Sequence, residues 1–139
     1  MSPAAIRGMD LFEHKAGCTN CHNGPNFTND AFHNLGMASA DIGRGKITPS
    51  KPFERAFKTP GLRNVLLTAP YMHDGSIGTL EEVIRFYNRG GDRKPVDPLM
   101  KPLKLSEQEI FDLIAFLGAL TDPVSIERPK IPLDDKMVH

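Results

Sequence analysis

The sequence predicts an all-α fold, and three observations carry that prediction. Segments near 3–16, 79–90 and 106–120 repeat apolar residues at the spacing of one helix face. Each opens on a hydroxyl side chain, Ser2, Thr79 or Ser106, of the kind that caps a helix N-terminus. Between the first and second segments, residues 23–63 carry no sustained period, and nowhere does the alternation of a strand hold for long enough to count.

The first helix is expected to start at Pro3, because proline at the first helical position needs no amide partner. Ala5, Met9, Phe12 and Ala16 form its apolar face, and Gly17 marks its exit, so the helix should deliver the chain to Cys18. In the second helix Thr79 and Glu82 have the spacing of a capping box, Leu80, Val83, Ile84 and Tyr87 share the buried stripe with Phe86 off it, and Gly90-Gly91 ends the element. Ser106 and Glu109 repeat the box ahead of the third helix, where Ile110, Leu113, Ile114 and Leu117 face inward and the end lies near Leu120. Leu62 to Leu67 reads as a short helical turn or extended piece.

A chain of 139 residues is one domain by length, assigned to 1–121, with 122–139 as an extended tail carrying Pro123, Pro129 and Pro132. Seventeen basic residues balance seventeen acidic ones, which excludes the electrostatic footprint of a nucleic-acid binder and of a polybasic membrane anchor. No apolar run is long enough to cross a bilayer. Twelve Gly and twelve Pro imply long irregular connections, which enclose a core poorly without a staple. The irregular stretch before Arg63 is of the length that tends to be functional, and wrapping a large flat cofactor would account for it.

The staple is legible in Cys18-Thr19-Asn20-Cys21-His22. Two thiols three positions apart can both reach the vinyl groups of a haem, and a histidine next in sequence can turn its imidazole under the iron. Other readings are weaker. A thioredoxin-like pair needs a βαβ setting. A structural zinc site needs four ligands, which Cys18, Cys21, His22 and His33 alone would have to supply. A Cys18–Cys21 disulfide closes too short a loop to stabilise much. The motif therefore predicts one covalent haem c, with His22 as the proximal iron ligand.

The residues around the motif resemble a known family. The stretches LFEHKAGCTNCHNGPNFTNDAFHNLG, FKTPGLRNVLLTAPYMHDGSIGTLEEVIRFYNRGG and PLKLSEQEIFDLIAFLGALT are similar to the C-terminal haem domain of bacterial di-haem cytochrome c peroxidases, including the MauG-like branch that matures a protein-derived quinone cofactor. The resemblance runs from about residue 4 to 121, and Thr59 to Gly75 is its most specific part. It implies a cytochrome c-like domain, a few helices and long loops around one haem. It also implies an electron-relay role, with peroxide reacting at a second haem in an N-terminal domain, and a small cytochrome or cupredoxin as redox partner. The sequence departs from the family in having a single Cys-x-x-Cys-His, so peroxidase turnover by this chain alone is expected to be residual. A stand-alone mono-haem electron carrier is the alternative. Attachment of haem c normally follows export, which places the protein in the periplasm. Met1 to Leu11 lacks the apolar centre of a signal peptide, which suggests a mature form or a fragment.

The ligand opposite His22 has several candidates: Met72, Tyr87, His73, Met37 and Met100. A loop methionine is the usual choice and points to Met72. The helix stripe and the resemblance, which implies tyrosine at this position in the MauG-like branch, point to Tyr87. Thr68 and Pro70 match family positions whose backbone carbonyls bind a calcium between the two domains, and carbonyl oxygen suits that ion. His73 and Asp74 match a pair near the haem edge, where a turn is the simpler account. Arg63 and Lys58 are candidates to meet the haem propionates, Phe27, Phe32, Phe53 and Phe57 to line the pocket, and His14 and His33 are read as surface or loop residues without chemistry.

Overall fold

The computed structural model describes residues 1–122. Three helices dominate it: α1 (Pro3–Glu13), α2 (Leu80–Arg89) and α3 (Glu107–Ala119). All three N-termini are built as the caps predict. The Ser2 hydroxyl accepts from the Ala5 amide, and Thr79/Glu82 and Ser106/Glu109 both close full reciprocal capping boxes. Gly90 ends α2 in the left-handed conformation at φ 79°, where a side chain would be strained.

The core forms where α1 crosses α3 and α2 leans on α3. It holds Phe12, Ala16, Leu80, Ile84, Leu105, Ile110, Leu113, Phe116 and Leu117. At the crossing Gly8 lets the backbones touch: a β-carbon there would lie 1.9 Å from the Asp112 carbonyl oxygen. Beside it Asp112 is buried, which the apolar stripe of α3 does not announce. Its carboxylate takes a two-pronged grip from Arg7, at 2.7 and 2.8 Å, and a third bond from Gln108 at 3.1 Å.

Three details differ from the sequence reading. Helix α1 stops at Glu13 rather than running to Gly17; the Ala16 amide bonds back to Leu11 and Gly17, at φ 60°, starts the next turn. Residues 23–63 contain a two-stranded antiparallel ladder, β1 (Phe32–His33) with β2 (Phe57–Lys58), pairing Phe32 with Lys58 and His33 with Phe57. Strands this short leave no period in a sequence. Phe86, off the predicted stripe, is fully buried. Loops cover the second side of α2, so one apolar face does not describe its burial: Gly91 packs on the Leu35 carbonyl and Gly90 on Pro102. Residues 62–67 form the expected turn, as a 3₁₀ segment at Val65–Leu67. The tail expected over 122–139 lies, from residue 123 on, outside the described residues.

Gly8→Ala should force α1 and α3 apart, at a cost of about 1–3 kcal/mol, read as a lower Tm with helix content retained. Arg7 holds the Asp112 carboxyl below its usual range, chiefly through their hydrogen bonds. Its folded pKa is depressed, so its contribution is complete above the unfolded value of about 3.9 and fades as pH falls through the folded one. Arg7→Met should lower Tm at neutral pH and flatten the acid limb of the Tm–pH curve.

Candidate haem site

Cys18 to Asn20 form a 3₁₀ turn, and the Cys18 carbonyl accepts from the amides of both Cys21 (3.2 Å) and His22 (2.8 Å). This winding puts the two thiols on one side, as the i, i+3 relation requires. Both cysteines are free thiols. Burial pushes both thiols upward, Cys18 to about 12. A reactive dithiol has thiols shifted the other way. Among the described residues no three His, Cys, Asp or Glu side chains gather as metal ligands, so Cys18, Cys21, His22 and His33 do not form the zinc alternative.

His22 is oriented by its Nδ1, 2.9 Å from the carbonyl of Phe27. A ring nitrogen that donates to a backbone carbonyl leaves the other nitrogen as a lone-pair donor for a metal. Burial lowers the imidazole below its ordinary value, against the opposing pull of the Phe27 and Pro60 carbonyls, and so favours the neutral ring that ligation needs. Phe27 itself sits at φ 54°, unusual for a bulky residue. That backbone turns its carbonyl to His22, while its ring packs edge-on to Phe12 and Phe116 at centroid distances of 6.1 and 6.3 Å.

Tyr87 lies half-buried on α2. Its phenol is pushed well up, first by burial and then by the nearness of Cys18 and Cys21, so its hydroxyl shares the surroundings of the two thiols. Tyr87 Oη makes no hydrogen bond with any described residue, in contrast to Tyr71, whose hydroxyl bonds the Val65 carbonyl at 3.1 Å. Met72 occupies the turn closed by the Tyr71–Ile77 bridge, at φ 70°. Thr68 and Pro70 are exposed at the surface, and neither carbonyl accepts a hydrogen bond from a described residue.

The remaining candidates make contacts of their own. Lys58 pairs with Asp30 at the surface, and Arg63 donates to the Pro25 carbonyl at 2.7 Å while lying over the Phe27 ring. Phe27 belongs to the α1–α3 core, Phe32 packs edge-on to Phe53, and Phe57 stacks on His73 at 3.6 Å. His14 is exposed, as expected. His33 is not a simple surface residue: its side chain is 14% exposed and its Nδ1 is 2.7 Å from Asp97. Its Nε2 lies 3.3 Å from the Asn29 amide nitrogen, and Asn29 reaches the attachment turn through its backbone amide to the Cys21 carbonyl at 2.8 Å. Only the long-range partner Asp97, 64 residues away, reveals this network.

Comparison with known proteins decides what the site belongs to. The cytochrome c family matches residues 5–121. The chain belongs to the cytochrome c family. As such it is a covalent haem c domain, and its donor set of two neutral thiols and one oriented, neutral imidazole suits that group. This cytochrome c domain is 46% identical over 133 residues to methylamine utilization protein MauG of Methylorubrum extorquens, covering 92% of this chain and 38% of the relative. It is 39% identical over 170 residues to cytochrome-c peroxidase IdrP1 of Denitromonas iodatirespirans, with 96% and 45% covered. Among solved structures, a MauG-like protein associated with microbial copper homeostasis superposes with a TM-score of 0.81 at 34% identity, over 88% of this chain and 48% of that one. The domain thus spans less than half the length of these relatives. No helix among its described residues is long and apolar enough to cross a membrane.

Asp97→Ala should release His33 and loosen the 21–34 segment. The expected result is faster amide exchange at Asn29, with exchange in α3 unchanged.

Proposed function

We propose that this chain is the electron-relay haem domain of a MauG-like di-haem enzyme, carrying one haem c bound through Cys18 and Cys21. The observation that carries the proposal is the match over nearly the whole chain to MauG and cytochrome-c peroxidases about twice its length, with one attachment motif present. In this reading the reaction with peroxide belongs to a second haem in an N-terminal domain. Electrons come from a small cytochrome or cupredoxin, and the protein works in the periplasm. Thr68 and Pro70 offer carbonyl oxygens for a calcium at the boundary between the domains. A stand-alone electron carrier is favoured only by the single motif, and the length of the relatives speaks against it.

The bound haem supplies one-electron redox chemistry at its iron, and the chain sets how that iron behaves. His22 would be the proximal ligand, oriented by the Phe27 carbonyl and kept neutral by burial. Tyr87 is the ligand assigned to the opposite face, with Met72 as the alternative. What supports Tyr87 is its nearness to the thiols and a hydroxyl that no described residue engages. A buried phenol keeps its proton until a cation faces it, and a ferric centre is such a cation. The resulting hard oxygen donor favours the ferric state, whereas the Met72 thioether would favour the ferrous one.

Two experiments test the proposal. Tyr87→Phe should change the ferric absorption and EPR spectra and raise the midpoint potential, while Met72→Leu leaves both as they were; an unchanged Tyr87→Phe spectrum removes Tyr87 from the iron. The purified chain should bind one haem, seen as a pyridine haemochrome, and turn over hydrogen peroxide only at a residual rate. Rapid turnover by the single-haem chain would contradict the relay assignment.

A further inference from the structure

Arg44 has a buried Nε with no hydrogen-bond partner and forms no ion pair with any described carboxylate. Burying part of a guanidinium without an acceptor is costly, and such groups are normally satisfied by a carboxylate. The position is strongly built. The Arg44 amide bonds the carbonyl of fully buried Ala56 at 2.9 Å, and the guanidinium carbon lies 4.8 Å over the Phe32 ring. Surrounding charges are engaged elsewhere or lie at the surface. Lys46 pairs with Asp41, Arg55 donates to the Ser39 carbonyl, and Lys51 and Glu54 on the packed neighbouring turn are exposed. His73 is stacked on Phe57.

The wall that holds Arg44 is linked by contacts to residues of the candidate haem site. Phe32 is followed by His33, whose charge is felt at His22, and His33 pairs across the ladder with Phe57. Phe57 in turn stacks on His73, next to Met72, and Gly43 closes on the Phe57 ring, which a β-carbon at 43 would meet at 3.0 Å. The attachment edge is elsewhere: Cys18 packs on the helical core, whereas the Arg44–Lys46 turn packs on the Lys51–Phe53 turn. On a haem the two vinyl carbons occupy one edge and the two propionate carboxylates the other. A haem held by its vinyl edge at Cys18 and Cys21 would carry its carboxylates on the far side, and the unpaired Arg44 Nε is a donor that would suit one of them.

We propose that Arg44 is the propionate anchor of this domain, its guanidinium edge taking one haem carboxylate in a paired hydrogen bond. The proposal rests on the haem reading above, and it prefers Arg44 to the exposed Lys58, paired with Asp30, and to the exposed Arg63, whose Nε donates to the Pro25 carbonyl. A planar fork suits a carboxylate better than an ammonium does, so lysine should not fully substitute.

The test uses the haem-loaded chain. Pyridine haemochrome analysis first establishes covalent haem; if none is bound, the haem reading itself fails, independently of Arg44. In the loaded wild type, redox-difference infrared spectra should show at most one propionate protonating between pH 5.5 and 8. In Arg44→Met, which keeps bulk over Phe32, one propionate should become at least tenfold easier to protonate. Its resonance Raman propionate band should move, and the midpoint potential should fall and become pH-dependent. Arg44→Lys should recover the potential but not the Raman band. Unchanged bands and an unchanged potential in Arg44→Met would overturn the proposal. So would a wild-type spectrum in which both propionates titrate in that range, a result that needs no variant to fold.

Discussion

Phe27 is the residue on which the candidate site depends. Its ring closes the aromatic cluster with Phe12 and Phe116, so its place is set by the crossing of α1 and α3. Its carbonyl fixes the His22 ring. One residue thus transmits the geometry of the helical core to the imidazole, and its left-handed backbone is what lets ring and carbonyl point to different tasks. The attachment turn is held from its other side by Asn29, which ties the Cys21 carbonyl to the His33–Asp97 pair. Core packing supplies one support and a polar network the other.

The same division explains what the sequence could show. Helix starts were legible because a cap is a local device: Ser2, Thr79 and Ser106 each satisfy an amide within three residues. The attachment motif was legible because thioether chemistry demands a fixed spacing of Cys18, Cys21 and His22. The burial of Asp112 was not, since it depends on Arg7 at a separation of 105 residues and on the space left by Gly8. Phe86 was misplaced because α2 is covered by loops that carry no periodic signal. His33 and Arg44 belong to a wall assembled from two short strands and a turn. Neither shows any local pattern that would separate it from an ordinary loop residue.

Loops carry most of the surface around the site, and their order comes from small residues at close approaches. Gly36 packs on the Arg93 carbonyl, Gly43 on the Ala56 carbonyl and Gly91 on the Leu35 carbonyl, each at positive φ. Side chains at these points would collide with backbone, so the glycines let the long connection fold onto itself and onto α2.

The pairing of α1 with α3 has a consequence for how the domain comes into being. Arg7 and Asp112 stand nearly a full domain apart in the chain, and no nearer segment substitutes for α3 under α1. Contacts of such long sequence separation form late, because the loop entropy must be overcome before they contribute. Cys18 packs against the core that α1 and α3 build together, so the attachment turn has its full packing only once this long-range contact is made.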